Sequence, residues 1–296
     1  NRTKQIKFAT GVMCLPQYHP AVQAGQAAMF DHLSEGRFIM GVGPGGLLSD
    51  FELFGVLEKD RMEMMEESLD MILELWSTEP PYKMHGKHWN IEMKDWTHHD
   101  IKLGYVPKPL QQPHPPIAMS AMSPSSSSLT FAGQRGYIPV SANFIAPWSV
   151  KTHWPAYCAG ADSAGLTADP NEWHVARSIF VADTDAEAEE FVKTSGGAYD
   201  YYYDYLFKIF DRSGFKGPFV TNQGDDPESL TPTAVRDACV IYGSPETVAK
   251  KIIDFKNSVG DFGTLLYAAH DWTDKAAMKK SMRLMAEHVM PIINKD

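Results

Sequence analysis

Two hydrophobic rhythms alternate along this chain. Short strand-like runs occupy residues 6–15, 37–42, 116–120, 137–142, 173–182 and 262–271, of which 173–182 alternates. The near-continuous apolar run at 37–42 predicts a strand covered on both faces, as in a parallel sheet flanked by helices. Each run is followed by a stretch with apolar residues at helical spacing. In HPAVQAGQAAMFDHLSEG the pattern stops at Gly36, and over residues 60–77 an inward stripe is predicted from Met62, Met65, Leu69, Ile72, Leu73 and Trp76. A short helix follows SPSSSS, and another is predicted over 147–165. Helical spacing then runs from TDAEAEEF through AYDYYYDYLFKIFDRSG, over SPETVAKKIIDFKNSVG with Ser244 as its cap, and over 274–294. Six strands, each with its helix, define an α/β chain. The chain starts at Asn1 and enters a strand almost at once, so two further strand-helix units are expected upstream. With them the count is eight, that of a TIM (β/α)8 barrel, and residues 1–296 are read as one N-terminally incomplete barrel domain.

Two segments break the rhythm. Residues 79–116 fill with Pro, His, Trp and Lys, and YKMHG and KHWNI predict a hairpin around Gly86. Residues 214–232, rich in Gly, Pro, Asp and Asn, predict a long mobile loop of the kind that is often functional.

Composition narrows the class. At 44% hydrophobic and 22% charged residues the chain reads as an ordinary globular protein. A net charge of −10 with no basic stripe argues against nucleic acid or an anionic membrane as the main partner. Cys14, Cys158 and Cys239 stand far apart with no CxxC spacing, which suggests neither a disulfide framework nor a zinc site and points to a reducing, cytoplasmic setting. No apolar run reaches the roughly 18–20 residues of a membrane span.

Candidate chemistry gathers at strand ends. After residues 37–42, Gly41, Gly43, Gly45 and Gly46 surround Pro44 and let a backbone turn sharply or approach a ligand closely, although a simple turn into the next helix reads equally well. The run SPSSSSLTFAGQRG offers several helix caps. His270 ends the last strand, where barrel enzymes place their chemistry, and suits either a pocket acid/base or substrate contact or a structural histidine bonded to a loop. His85, His88, His98, His99 and His114 match no metal-ligand spacing and are read as solvated loop residues.

The order of these motifs resembles one family. The run GVMCLPQYHPAVQAGQAAMFDHLSEGRFIMGVGPGGLLSDFELFG is similar to the bacterial luciferase-like flavin monooxygenases, with their LPxxHP, D-x-L-S-x-G-R-F and FxxFG segments. DRMEMMEESLDMILELW, SPSSSSLTFAGQRG, YGSPETVAKKIIDF and HVMPII continue the likeness over essentially the whole chain, and LLYAAHDW is most similar to the limonene and diketocamphane monooxygenase-like branch. The resemblance implies a TIM barrel, reduced FMN as cofactor, O2 and a small apolar organic substrate, a separate flavin reductase and a homodimer. It implies a non-prolyl cis peptide at Gly11–Val12 under the flavin ring, with Gly43 beside it. It also implies Ser125 and Ser128 at the phosphate and Arg61 approaching that phosphate, where a surface ion pair is the alternative. Phe144, Trp148 and Trp272 are expected to line an apolar pocket. Light-emitting luciferases carry a cysteine and an arginine in place of Gly43 and Pro44, so luminescence is not implied. A deazaflavin-dependent oxidoreductase on the same barrel and a flavin-binding homologue without turnover are the alternative readings.

Overall fold

The computed structural model describes residues 3–270 and 273–295, and the chain divides between Ser120 and Ala121 into two compact units. Both are α/β, and among the described residues the strand pairs are parallel apart from one hairpin and one isolated bridge. No helix among the described residues is long and apolar enough to cross a membrane.

In the first unit, β1 (Phe8–Ala9) and β2 (Met13–Cys14) replace the single strand expected over 6–15. The backbone leaves the strand path at Thr10, whose hydroxyl donates to Gly41 O at 2.8 Å. After α1 (Pro20–Leu33) comes β3 (Phe38–Gly43), which pairs with both pieces, Phe8 opposite Phe38 and Met13 opposite Val42. α2 (Leu48–Leu53) and α3 (Arg61–Ser77) lead to the hairpin β4 (Lys83–His85) and β5 (Asn90–Glu92), as expected around Gly86, and β6 (Ile117–Ala121) then lies beside β3.

Several family-like motif residues turn out to hold this unit together. His19 Nδ1 accepts from Ala21 N, so Nε2 carries the proton and donates to Asn90 O, which ties the start of α1 to the hairpin. Asp31, fully buried, accepts from Gln111 N and Nε2 at 2.8 and 2.7 Å. Arg37 donates to Ser34 O and Ile6 O and lies over the Phe8 ring. The stripe of α3 is displaced from the expected one: Met64, Met71 and Leu75 are buried where Met62 and Leu73 are only half-buried. Trp76 joins it and donates to Ala24 O of α1.

The second unit contains α4 (Ser127–Arg135), β7 (Ile138–Ser141), α5 (Pro147–Lys151), α6 (His153–Ser163) and β8 (His174–Val181). The helix expected over 147–165 is two helices, because Pro155 has no N–H to continue the ladder. α4 and α6 cross with their backbones in contact: a Cβ on Gly160 would stand 1.9 Å from Thr130 O. α7 (Asp185–Lys193) and α8 (Ala198–Arg212) are separated at Gly196 and Gly197. α9 (Pro232–Cys239) and β9 (Val240–Gly243) follow, neither of them expected. β9, four residues reading Val-Ile-Tyr-Gly, sits between helices and is too short to show a period. α10 (Pro245–Val259), capped by Ser244, precedes β10 (Thr264–Ala268). α11 (Lys275–Leu284), a π turn over Met285–Val289 and α12 (Met290–Ile293) close the chain. β8 pairs with β7, β9 and β10.

The two faces of β8 meet different partners. Val175, Ile179 and Val181 pack with Val150 of α5, with Val248, Ile252 and Phe255 of α10, and with Val289. Phe180 packs with Val192, Tyr199 and Tyr203 of α7 and α8. Burying both faces is the condition under which a strand sequence loses its polar alternation.

Candidate active site

In the first unit the candidate residues gather around the β1–β2 break. The Gly11–Val12 peptide is cis. A Cβ at Gly11 would meet no atom within 4 Å, so this peptide borders open space. Gly41 and Gly43 press against the break from β3: a Cβ at Gly41 would lie 1.9 Å from Thr10 O, and one at Gly43 2.9 Å from Val12 Cγ2. Gly41 therefore serves close backbone approach within the protein, and Gly43 makes room for the Val12 side chain. Next to them stand Cys14, whose thiol pKa is raised by burial and by the Asp50 charge, and Phe51. Arg61 opens α3 with its guanidinium 4.1 Å over the Phe51 ring, and its Nη1 donates to Leu57 O at 2.8 Å. Its partners are a ring and carbonyls rather than the carboxylate of a surface pair.

In the second unit the serine turn is held from behind. Ser125 adopts a left-handed conformation, φ 48°, and is exposed. Its N–H donates to Thr152 Oγ1 at 2.7 Å, and that hydroxyl donates in turn to Ser149 O. Ser126 stands at the N-cap of α4 without a side-chain cap bond, and Ser128 lies in the first turn, half-buried. His153 braces the same turn. Its Nε2 donates to Ser123 O at 3.0 Å, so Nδ1 is an acceptor and takes the Ser141 hydroxyl proton at 2.8 Å, while Trp173 Nε1 donates to Ser141 Oγ at 3.0 Å. Every proton in this chain is placed with His153 neutral, and burial pushes its pKa down to about 4.

A second network surrounds His270 on the α8 face of β8. His270 is buried, its ring 4.0 Å from that of Tyr202 and 4.7 Å from that of Tyr199. Nε2 lies 2.8 Å from Ser178 Oγ, which also meets Asn143 Nδ2 at 2.9 Å and the Tyr203 hydroxyl at 3.0 Å. Tyr203 is 1% exposed and its proton goes to Ser178, so Ser178 donates its own to His270. His270 is thus a neutral acceptor at Nε2, and burial lowers its pKa to about 4. Desolvation raises the Tyr199 and Tyr203 hydroxyls well above their usual range.

Of the expected pocket residues, Phe144 packs on Phe210 and Phe219, and Trp148 donates to Val220 O at 2.8 Å. Trp272 lies outside the described residues. The loop over 214–232 is anchored by buried Phe219 and by Lys216 ion pairs to Asp211 and Glu228. His88 corrects one expectation: rather than solvated, it is half-buried with Nε2 3.0 Å from a Glu63 oxygen. Thr152, His153, Asn143, Ser178 and Tyr202 were not singled out from sequence. The visible signal was Arg177 and Ser178 adjacent in the middle of a largely apolar strand, WHVARSIFVA.

The described residues thus bring together a glycine-bordered strand break in the first unit and a buttressed serine turn in the second. The chain belongs to the luciferase-like monooxygenase family, whose sequence profile matches residues 1–261. It is 31% identical over 315 residues to 3,6-diketocamphane 1,6-monooxygenase of Pseudomonas putida, covering 99% of this chain and 81% of that protein. It is 29% identical to limonene 1,2-monooxygenase of Rhodococcus erythropolis, covering 100% of this chain and 71% of that one. The solved oxygenating constituent of the P. putida 3,6-diketocamphane monooxygenase, a type II Baeyer–Villiger monooxygenase in complex with FMN, superposes with a TM-score of 0.84 at 31% identity, over 98% of this chain and 80% of that one.

Proposed function

We propose that this chain is the oxygenase of a two-component flavin monooxygenase that uses reduced FMN, delivered by a separate reductase, and O2 to oxygenate a small apolar organic substrate. The observation that carries the reading is the serine turn. An exposed Ser125, a first helical turn without a side-chain cap and a rigid support from Thr152 and His153 suit a phosphate, and a 31% identical relative was solved with FMN. On this reading Ser125 and Ser128 hold the phosphate and Arg61 approaches it. Gly11, Val12 and Gly43 border the ring, for which the open space at Gly11 leaves room. Bound reduced FMN supplies the electrons that activate O2.

The protein's own work is to orient and to exclude water. Phe144 and Trp148 supply apolar walls, and the loop over 214–232, tied to Trp148 through Val220, covers them. His270 is the catalytic hydrogen-bonding group, held neutral so that the pocket carries no charge from it. The reading extends to a single TIM-barrel domain and a cytoplasmic homodimer. Exposed Val22, Met29, Phe30 and Leu33 along α1 support a second copy, and the unpaired cysteines support a reducing compartment.

Anaerobic titration with reduced FMN and with a reduced deazaflavin, followed by 18O2 and limonene or a bicyclic diketone, tests this reading. Tighter binding of reduced FMN and one labelled oxygen in the product are expected. Preference for the deazaflavin, or hydride transfer without O2, would overturn it.

A further inference from the structure

The serine turn holds one group that would repel an anion, and a buried chain of hydrogen bonds draws it away. β7 and β8 pair with Val140 opposite His174, a register that brings Trp173 Nε1 within 3.0 Å of Ser141 Oγ. Ser141 Oγ lies 2.8 Å from His153 Nδ1, and His153 Nε2 lies 3.0 Å from Ser123 O. Trp173, Ser141 and His153 are all 0% exposed, so bulk water does not compete for these bonds. The chain runs one way only. An indole N–H donates and never accepts, a carbonyl accepts and never donates, and with both ends fixed the imidazole proton stands on Nε2. The Ser123 carbonyl, whose partial negative charge would oppose an anion at the turn, is therefore bonded into the interior. Thr152 takes the Ser125 N–H at 2.7 Å. What the turn keeps for a ligand is its hydroxyls and the first N–H groups of α4, which have neither an intrahelical partner nor a side-chain cap.

We propose that His153 is a positioning residue of this turn: by keeping Ser123 O on the buried side, it leaves donors facing the ligand and so favours a phosphate monoester over an uncharged group. This rests on reading the serine turn as the FMN phosphate site, and it names the residue on which the selectivity of that turn depends. His153 acts through the backbone of the turn rather than on the ligand.

Two substitutions separate this role from mere support of the fold. His153→Gln places an amide N–H near the position of Nε2 and keeps the bond to Ser123 O, whereas the side chain of His153→Asn is too short to reach it. Reduced FMN and reduced riboflavin are titrated anaerobically against the full chain, inorganic phosphate is titrated by 31P NMR, and thermal melting reports the fold. His153→Asn is expected to weaken reduced FMN and inorganic phosphate by roughly three- to tenfold, the worth of one hydrogen bond, with riboflavin unchanged. His153→Gln is expected to bind all three as the unsubstituted chain does. A second measurement needs no variant: 15N NMR of the imidazole is expected to show the neutral Nε2–H tautomer with and without inorganic phosphate. An Nδ1–H tautomer, equal losses for both flavins in a folded His153→Asn chain, or a Gln variant no better than the Asn one overturns the proposal. If inorganic phosphate follows His153 but reduced FMN does not bind, the positioning role stands and the flavin reading falls. If reduced FMN binds more tightly than riboflavin and His153→Asn leaves that ratio unchanged, the positioning role alone falls.

Discussion

The two units build their candidate sites from different material. In the first, the site is backbone: a broken strand, a cis peptide and glycines packed so closely that a methyl group would strike Thr10 O or Val12. In the second it is side chains: Thr152, His153, Ser141 and Trp173 behind the serine turn, and Asn143, Ser178, Tyr202 and Tyr203 around His270. The contrast teaches that one half is sensitive to volume and the other to protons.

Volume is the harsher test. Gly41→Ala puts a methyl 1.9 Å from a backbone oxygen that cannot move away alone, so a loss of about 3 kcal/mol or more is expected in chemical unfolding. Gly25→Ala, in mid-helix with nothing within 4 Å, is expected to gain up to about 1 kcal/mol. Similar effects from both would break the comparison.

Protons test the other half. His153 and His270 have folded pKa values of about 4 against an ordinary 6.5, so between these values the unfolded chain binds more protons and stability rises with pH. Their contribution is complete above about pH 6.5 and is lost as the pH falls towards 4, roughly 3 kcal/mol for each. Denaturant melts from pH 7 to 4 read this slope, and His153→Gln is expected to remove its share. An unchanged slope in that variant would show that the buried histidine is not the titrating group.

The smallest effect sharpens the account of the loop. Trp148→Phe removes the N–H that holds Val220 O, at an expected cost of about 1 kcal/mol, with faster amide exchange confined to the loop over 214–232. Exchange unchanged there would mean that Phe219 alone anchors it.

Much of the first unit was legible because backbone constraints leave marks in the sequence. Glycines around Pro44, the hairpin around Gly86 and the position of the cis peptide were all readable, the last through resemblance. Asp31 and Arg37, which the family-like segment displays without showing a role, serve as cross-links within the unit. The second unit was readable in its strands but not in its networks. Ser178 and Asn143 are 35 positions apart, and Ser178 and His270 92, so only folding brings their donors and acceptors together. β9 escaped because a four-residue strand between helices carries no period of its own.

The central claim is that the serine turn grips a phosphate. Each hydroxyl bonded to a dianion is worth roughly 1.5–3 kcal/mol, so Ser125→Ala combined with Ser128→Ala is expected to weaken reduced FMN binding by on the order of a hundredfold or more. Riboflavin, which lacks the phosphate, is expected to bind the wild-type and doubly substituted chains alike, and the fold is expected to survive because the substituted hydroxyls stand in the turn rather than in the core. Isothermal titration of both flavins against both proteins is the direct measurement: a loss confined to FMN agrees with the account, and equal losses for FMN and riboflavin would contradict it.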